Sequence, residues 1–286
     1  MSRRGGIVRP SKRPPGWEPP GPEPAGPGDR EDLWPAEGED LCHLTGSWRI
    51  FQRTGGHRYS LDDTSTAWYA LRAAKGREVR RHLDLGCGIG SVLLMVVWGL
   101  DADNESVGIE AQELSHGLAQ RSIAYNGVDH RVRALNGDIR NPEMLPAAGK
   151  FDLVTGSPPY IPIGDGVMSD KEQCAPARFE LRGGIEDYCE AAARWMAPDG
   201  LFVFCHAAPQ RDRCLDAARA AGLVVTRFKE VIPREGRSPL LTLFVARFAG
   251  ADDPEPVAED PLVVRDAAGA RAPGYLELRN DMGMPP

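Results

Sequence analysis

The chain has 286 residues, 42% of them hydrophobic, with a formal net charge of −7. That length suits one large α/β domain with appendages and an ordinary core, and no apolar run approaches the roughly 20 residues of a membrane helix. Six cysteines (Cys42, Cys87, Cys174, Cys189, Cys205, Cys214) form no C-x-x-C pair and the six histidines no H-x-x-x-H pair. The cysteines read as reduced thiols rather than a disulfide or metal framework, and a cytoplasmic, metal-free protein is expected. Arg3 and Arg4 are followed by no apolar h-region, so no secretory signal is expected.

Residues 1–40 carry 6 basic and 8 acidic side chains, 41–249 carry 25 of each, and 250–286 carry 3 and 8. The central part is neutral, which neither demands nor excludes nucleic acid. Residues 1–40 also hold 9 prolines and 7 glycines with little apolar periodicity. This predicts a disordered tail. Its basic start (Arg3, Arg4, Arg9, Lys12, Arg13) offers a salt-sensitive attraction to RNA; a solvated tail without a role is the plainer reading.

Residues 41–80 read as an entry segment. Trp48–Gln52 suggests a strand, Thr54–His57 a hairpin turn, and 64–75 a helix capped by Asp62, Asp63 or Thr64 and stopped at Gly76. A larger α/β domain then spans 81–249. Its first strand, Arg81–Leu85, runs into Gly86-Cys87-Gly88-Ile89-Gly90 and the apolar helix from Ser91. Alternating glycines let a backbone turn tightly against a ligand, with a helix N-terminus facing it. A nicotinamide fingerprint needs glycine at position 91; Ser91 stands there instead. Asp84 would repel a pyrophosphate and attract an ammonium group. S-adenosylmethionine (SAM) carries an ammonium and no phosphate.

Strand 2 (Ser106–Ile109) ends in Glu110, 20 residues after Gly90, the distance at which an acid meets ribose hydroxyls. A helix over Gln112–Asn126 precedes strand 3 (Val132–Leu135) and Asp138, an acid placed to accept from an adenine amine or to shape a turn. Strand 4 (Phe151–Thr155) runs into Gly156-Ser157-Pro158-Pro159-Tyr160. Two prolines remove backbone donors and fix the chain's direction, leaving carbonyls free to accept. Tyr160 offers a ring for a planar substrate. Residues 161–184 read as a long substrate loop. A helix over 185–196, strand 5 (Leu201–Cys205), a helix over 210–221, strand 6 (Leu223–Glu230) and strand 7 (Leu240–Phe248) follow. The last two read as an antiparallel hairpin at the sheet edge. Residues 250–261 read as an acidic linker, and Leu262–Asp266 as a short strand before a ragged C-terminal tail.

Glycine loop, acid after strand 2, acid after strand 3 and S-P-P-Y after strand 4 together resemble a class I SAM-dependent methyltransferase of the amino-methylating type. The resemblance implies a Rossmann-like α/β fold: a seven-stranded, mostly parallel sheet with helices on both faces. Ile50-Phe51-Gln52, Arg58-Tyr59-Ser60-Leu61-Asp62, Ala177-Arg178-Phe179-Glu180 and Pro261–Asp266 sharpen it toward the bacterial tRNA adenine-N6 methyltransferases that act beside the anticodon of valine tRNA. It implies that Asp84, Gly86, Gly88 and Gly90 form the SAM loop, that Glu110 holds the ribose and Asp138 the adenine, and that Ser157, Pro158, Pro159 and Tyr160 hold the methyl acceptor. Gln52, Arg58, Asp62 and Arg178 are implied substrate contacts. Expected with these are a tRNA substrate and a monomer bound to neither membrane nor metal. The chain departs from the family at Ser157, where Asn is usual, and at Thr64-Ser65-Thr66, where apolar residues are usual. Glutamine-amide methylation of a translation protein, small-molecule methylation and non-catalytic SAM binding are the competing readings.

Overall fold

The computed structural model describes residues 4–10, 13–146, 150–162, 164, 173 and 179–286. The strands are β1 (Ile7–Val8), β2 (Glu39–His43), β3 (Arg49–Arg53), β4 (Arg81–Leu85), β5 (Glu105–Glu110), β6 (Val132–Asn136), β7 (Phe151–Gly156), β8 (Met196–Ala207), β9 (Leu223–Ile232), β10 (Leu241–Phe248) and β11 (Val257–Val263). The helices are α1 (Leu61–Ala74), α2 (Ser91–Gly99), α3 (Glu113–Tyr125), α4 (Ile185–Trp195), α5 (Arg211–Ala220) and α6 (Pro273–Asp281).

Eight strands make the main sheet, in the order β11-β9-β10-β8-β7-β4-β5-β6. Strand β10 is antiparallel to both neighbours, while β4 lies between β5 and β7, parallel to each. Alternation along each strand divides two cores. Leu83, Leu85, Val154, Phe202 and Phe204 face one side, with Trp195 of α4; Leu153, Val203 and Leu243 face the other, with α1 and α2. The continuous apolar run of α2 is buried from Ser91 to Val97, as expected of a helix enclosed on all sides.

The expected seven strands are eight. Residues 257–261, expected to lie in a linker, begin β11, which pairs parallel with β9, so the β9–β10 hairpin does not form the edge. The acidity that suggested a linker is used across strands, Glu259 pairing with Arg227 at 3.2 Å and Lys229 at 3.3 Å. The expected hairpin after Gln52 is also absent. β3 pairs backward with β2, and the two join β1 in a three-stranded sheet.

In the segment expected to be disordered, residues 23–33 pack along the domain. Gly26 N donates to Tyr125 O at 2.9 Å, Ser47 Oγ to Glu23 Oε1 at 2.8 Å, and Leu33 is buried. Prolines restrict the unfolded segment, so ordering it costs less entropy than its polarity suggests. The C-terminal end packs too. Trp68 Nε1 donates to Asp281 Oδ2 at 3.0 Å, and Leu278 and Met282 are fully buried.

Candidate active site

The loop after β4 is left-handed at each of its glycines: φ is 61° at Gly86, 56° at Gly88 and 86° at Gly90. A side chain is disfavoured there by about 1–2 kcal/mol. A Cβ on Gly86 would also overlap Tyr188 Oη, whereas no described residue beyond its chain neighbours lies within 4 Å of one on Gly88. The Gly88 amide donates to Glu110 Oε2 at 2.9 Å, and the Gln112 amide to Oε1 at 2.6 Å. Glu110, at the end of β5, thus fixes the loop from the neighbouring strand.

Asp84 is 1% exposed. Its Oδ1 accepts from Thr155 Oγ1 at 2.7 Å, and its Oδ2 has no hydrogen-bond partner among the described residues. Burial, with Glu110 adding repulsion, pushes its carboxyl up to about 7. Behind it runs a buried polar chain across three strands. His82 Nε2 lies 2.9 Å from Thr155 Oγ1 and Nδ1 3.3 Å from Ser106 Oγ, which donates to Asn104 Oδ1 at 3.0 Å. Burial pushes the His82 pKa down to about 3, so the ring is neutral.

The S-P-P-Y corner continues β7 into the same cavity. Asp62, Asp63, Asp84, Glu110 and Asp138 line it with Ser157–Tyr160. Cys205 Sγ, on the neighbouring β8, lies 3.1 Å from Ser157 Oγ and 3.0 Å from Tyr160 Oη. Tyr160 Oη also donates to Asp62 Oδ2 at 3.2 Å, and its ring meets His206 edge-on at 5.1 Å. Gln210 Nε2 holds the Tyr160 carbonyl at 2.7 Å. An acid-rich cavity floored by open glycines suits a cationic ligand with donor hydroxyls and rejects a pyrophosphate. The unpartnered Oδ2 of Asp84 fits the ammonium of SAM on the same ground.

No family model matches the chain. A release factor glutamine methyltransferase from Bordetella pertussis is 31% identical over 208 residues, covering 65% of this chain and 71% of that protein. A tRNA1(Val) (adenine(37)-N6)-methyltransferase from Actinobacillus pleuropneumoniae is 23% identical over 204 residues, covering 71% and 81%. The chain belongs to the class I SAM-dependent N-methyltransferases. A solved structure titled a predicted O-methyltransferase, from Agrobacterium tumefaciens, shares the fold with a TM-score of 0.59 at 20% identity, over 77% of this chain and 97% of that one.

The methyltransferase brings most of the expected residues together. Gly86, Gly88 and Asp62 line the cavity, while Gly90 caps α2 just behind it. Asp138 lines it beside Arg140, whose Nη2 pairs with Oδ2 at 2.6 Å. Two expected substrate contacts lie elsewhere. Gln52 is 1% exposed and accepts from the Tyr59 amide at 3.0 Å, bracing β3 against the entry to α1. Arg58 pairs with Asp40 at 3.1 Å and donates to Cys42 Sγ at 3.2 Å. A buried carboxylate is a stronger partner for a guanidinium than solvent. Arg178 lies outside the described residues.

Other cavity residues were not expected. Asp63 is buried, accepting from Ser91 Oγ at 2.5 Å and the Ser60 amide at 2.8 Å. Burial, then repulsion from Asp62, pushes its carboxyl pKa up. The S-x-x-D spacing of Ser60 to Asp63 is a capping-box signal that places α1's start at Leu61. No comparable local signal marks Tyr188 or Arg182 on the cavity wall, or Cys205 buried behind Ser157 and Tyr160; packing delivers all three from later segments.

Proposed function

We propose that the methyl acceptor is the N6 amine of an adenine in tRNA. The observation that carries this reading is the continuation of β7 into Ser157–Tyr160 on the wall of the cavity that the glycine loop floors. The family relatives named for tRNA adenine support it. When bound, SAM supplies the methyl group on a sulfonium. Asp84 and Glu110 would hold its ammonium and ribose, and Asp138 its adenine.

An exocyclic amine is a weak nucleophile because its lone pair is delocalised into the ring. Ser157 Oγ and the Pro158 carbonyl are acceptors for its two N–H groups. Bonding both favours a tetrahedral nitrogen whose lone pair faces the donor. Positioning of this kind supplies up to about 7–11 kcal/mol. A base turned out of its stack regains contact on the Tyr160 ring. The amine's proton leaves after transfer, so no strong general base is required. Buried Asp63 and Asp84 are better placed to hold a cation than to take this proton.

The 31% identity to a release factor glutamine methyltransferase favours a second reading, an amide acceptor on a translation protein. A side-chain amide poses the same electronic problem to the same corner. Mass spectrometry of tRNA nucleosides from a deletion strain tests the first reading: one N6-methyladenosine is expected to disappear. Unchanged tRNA with a lost methylglutamine would establish the second reading instead.

A further inference from the structure

A second groove lies outside the active cavity, between the N-terminal segment and the end of the chain. Its walls carry Arg9, Arg13, Arg271 and Arg279 together with Trp17 and His43. The chain is net acidic, so this gathering of guanidiniums is not a product of composition.

The groove is electropositive in detail. Arg9 pairs at 2.7 Å with Asp40, but that one buried carboxylate also takes Arg58 at 3.1 Å. Arg49, adjoining the wall, donates from Nη1 to the Arg9 carbonyl at 2.8 Å. Its pKa is pushed down by burial first, with Arg13 adding repulsion. His43 is depressed to about 4 by burial and then by the charges of Arg49 and Arg13. Its Nε2 is buried with no hydrogen-bond partner among the described residues. Arg271 donates to Pro286 O, and Arg279 to the Pro285 carbonyl at 2.7 Å. Arg13 lies over the Trp17 ring at 5.7 Å.

Guanidiniums interleaved with aromatic rings suit an anionic strand whose bases stack. The groove also adjoins the active cavity. Tyr59 lines the groove and donates to the His43 carbonyl at 2.8 Å, while His57 and Asp62, on the same short segment, line the cavity.

We propose that this groove takes the sugar–phosphate backbone of the RNA substrate, leading one nucleotide over residues 57–62 into the cavity. This rests on the reading that the acceptor is RNA. The full chain is titrated into a fluorescein-labelled RNA stem-loop across a salt series, followed by anisotropy, with SAM affinity measured separately by calorimetry. Arg13→Glu and Arg271→Glu are each expected to weaken RNA binding and to lower the salt slope by about 1, with SAM affinity unchanged. Arg13→Lys and Arg271→Lys are expected to keep the slope. If the glutamate variants bind and methylate RNA with wild-type slope, the groove assignment is wrong and the RNA reading stands. If the wild-type chain neither binds nor methylates RNA but methylates a protein, the reading itself fails, and any loss in the variants then marks an acidic protein partner.

Discussion

Thr155 Oγ1 sits 2.7 Å from Asp84 Oδ1, so a hydroxyl on β7 donates to the carboxylate that opens the glycine loop on β4. The other oxygen of Asp84 lacks a partner among the described residues. Burial, with repulsion from Glu110, outweighs the hydrogen bonding to this carboxylate, which is why it rises to about 7.

The first prediction follows from that rise. Without SAM, Asp84 is protonated below about pH 7; the ammonium of SAM favours the ionised form. SAM affinity is therefore expected to climb with pH up to about 7, by up to about tenfold per unit, and then level off. Stability of the free protein should move the opposite way. The folded state holds a proton that the unfolded chain releases near 3.8, so this group's contribution falls as pH rises from about 4 to 7. Thr155→Val removes the donor to the charged form and should move the affinity midpoint upward. Asp84→Asn should weaken binding and flatten the profile. Calorimetric titrations at several pH values check this; an Asp84→Asn profile that keeps the wild-type slope would place the titration elsewhere, with Asp63 the next candidate.

At Gly86 two separate penalties meet: a left-handed φ of 61° and a Cβ position that overlaps Tyr188 Oη. Gly86→Ala is expected to lose SAM binding and stability together. Adding Tyr188→Phe removes the oxygen in the way but leaves the ring's Cζ 2.9 Å from that Cβ and the backbone strain of about 1–2 kcal/mol. The double variant should thus recover only part of the stability, as read by denaturant midpoint. Full recovery would mean that the backbone conformation contributes nothing.

Ser65 lies inside α1, fully buried, with no partner for Oγ among the described residues. A buried polar group without a partner costs about 1–3 kcal/mol, and alanine is the better helix former. Ser65→Ala is expected to raise stability by about 1 kcal/mol or more without altering SAM affinity. A lower melting temperature would show that the hydroxyl is satisfied in solution.

Much of the site could be read from the sequence because its signals are local. Glycines 86, 88 and 90 are required by backbone conformation, and Glu110 and Asp138 follow strands whose apolar runs are plain. What could not be read depends on pairing with distant segments. β11 has little apolar alternation and exists because β9 offers it an unpaired edge and Arg227 and Lys229 offer Glu259 its partners. Arg58 resembles a substrate contact by position, yet Asp40, 18 residues upstream, holds it. Cys205 is one of six unremarkable cysteines until β8 places it beside β7.

Cys205 carries the last prediction. Its Sγ is within 3.1 Å of both Ser157 Oγ and Tyr160 Oη, and it is fully buried. Burial pushes the thiol up to about 12, so it is a neutral post rather than a nucleophile. It holds the Ser157 and Tyr160 hydroxyls, on the proposed acceptor side, at a fixed separation, a positioning role. Cys205→Ala is expected to raise KM for the acceptor and lower kcat while SAM affinity stays near wild type. Cys205→Ser, which keeps a hydrogen-bonding atom there, should restore much of the loss. Tyr160→Ala should lose most turnover with SAM binding retained, and Tyr160→Phe less, since the ring remains for stacking. Paired kinetics and SAM titrations separate these effects. Equal loss of SAM affinity in Tyr160→Ala would move the corner out of the acceptor site and into the donor's.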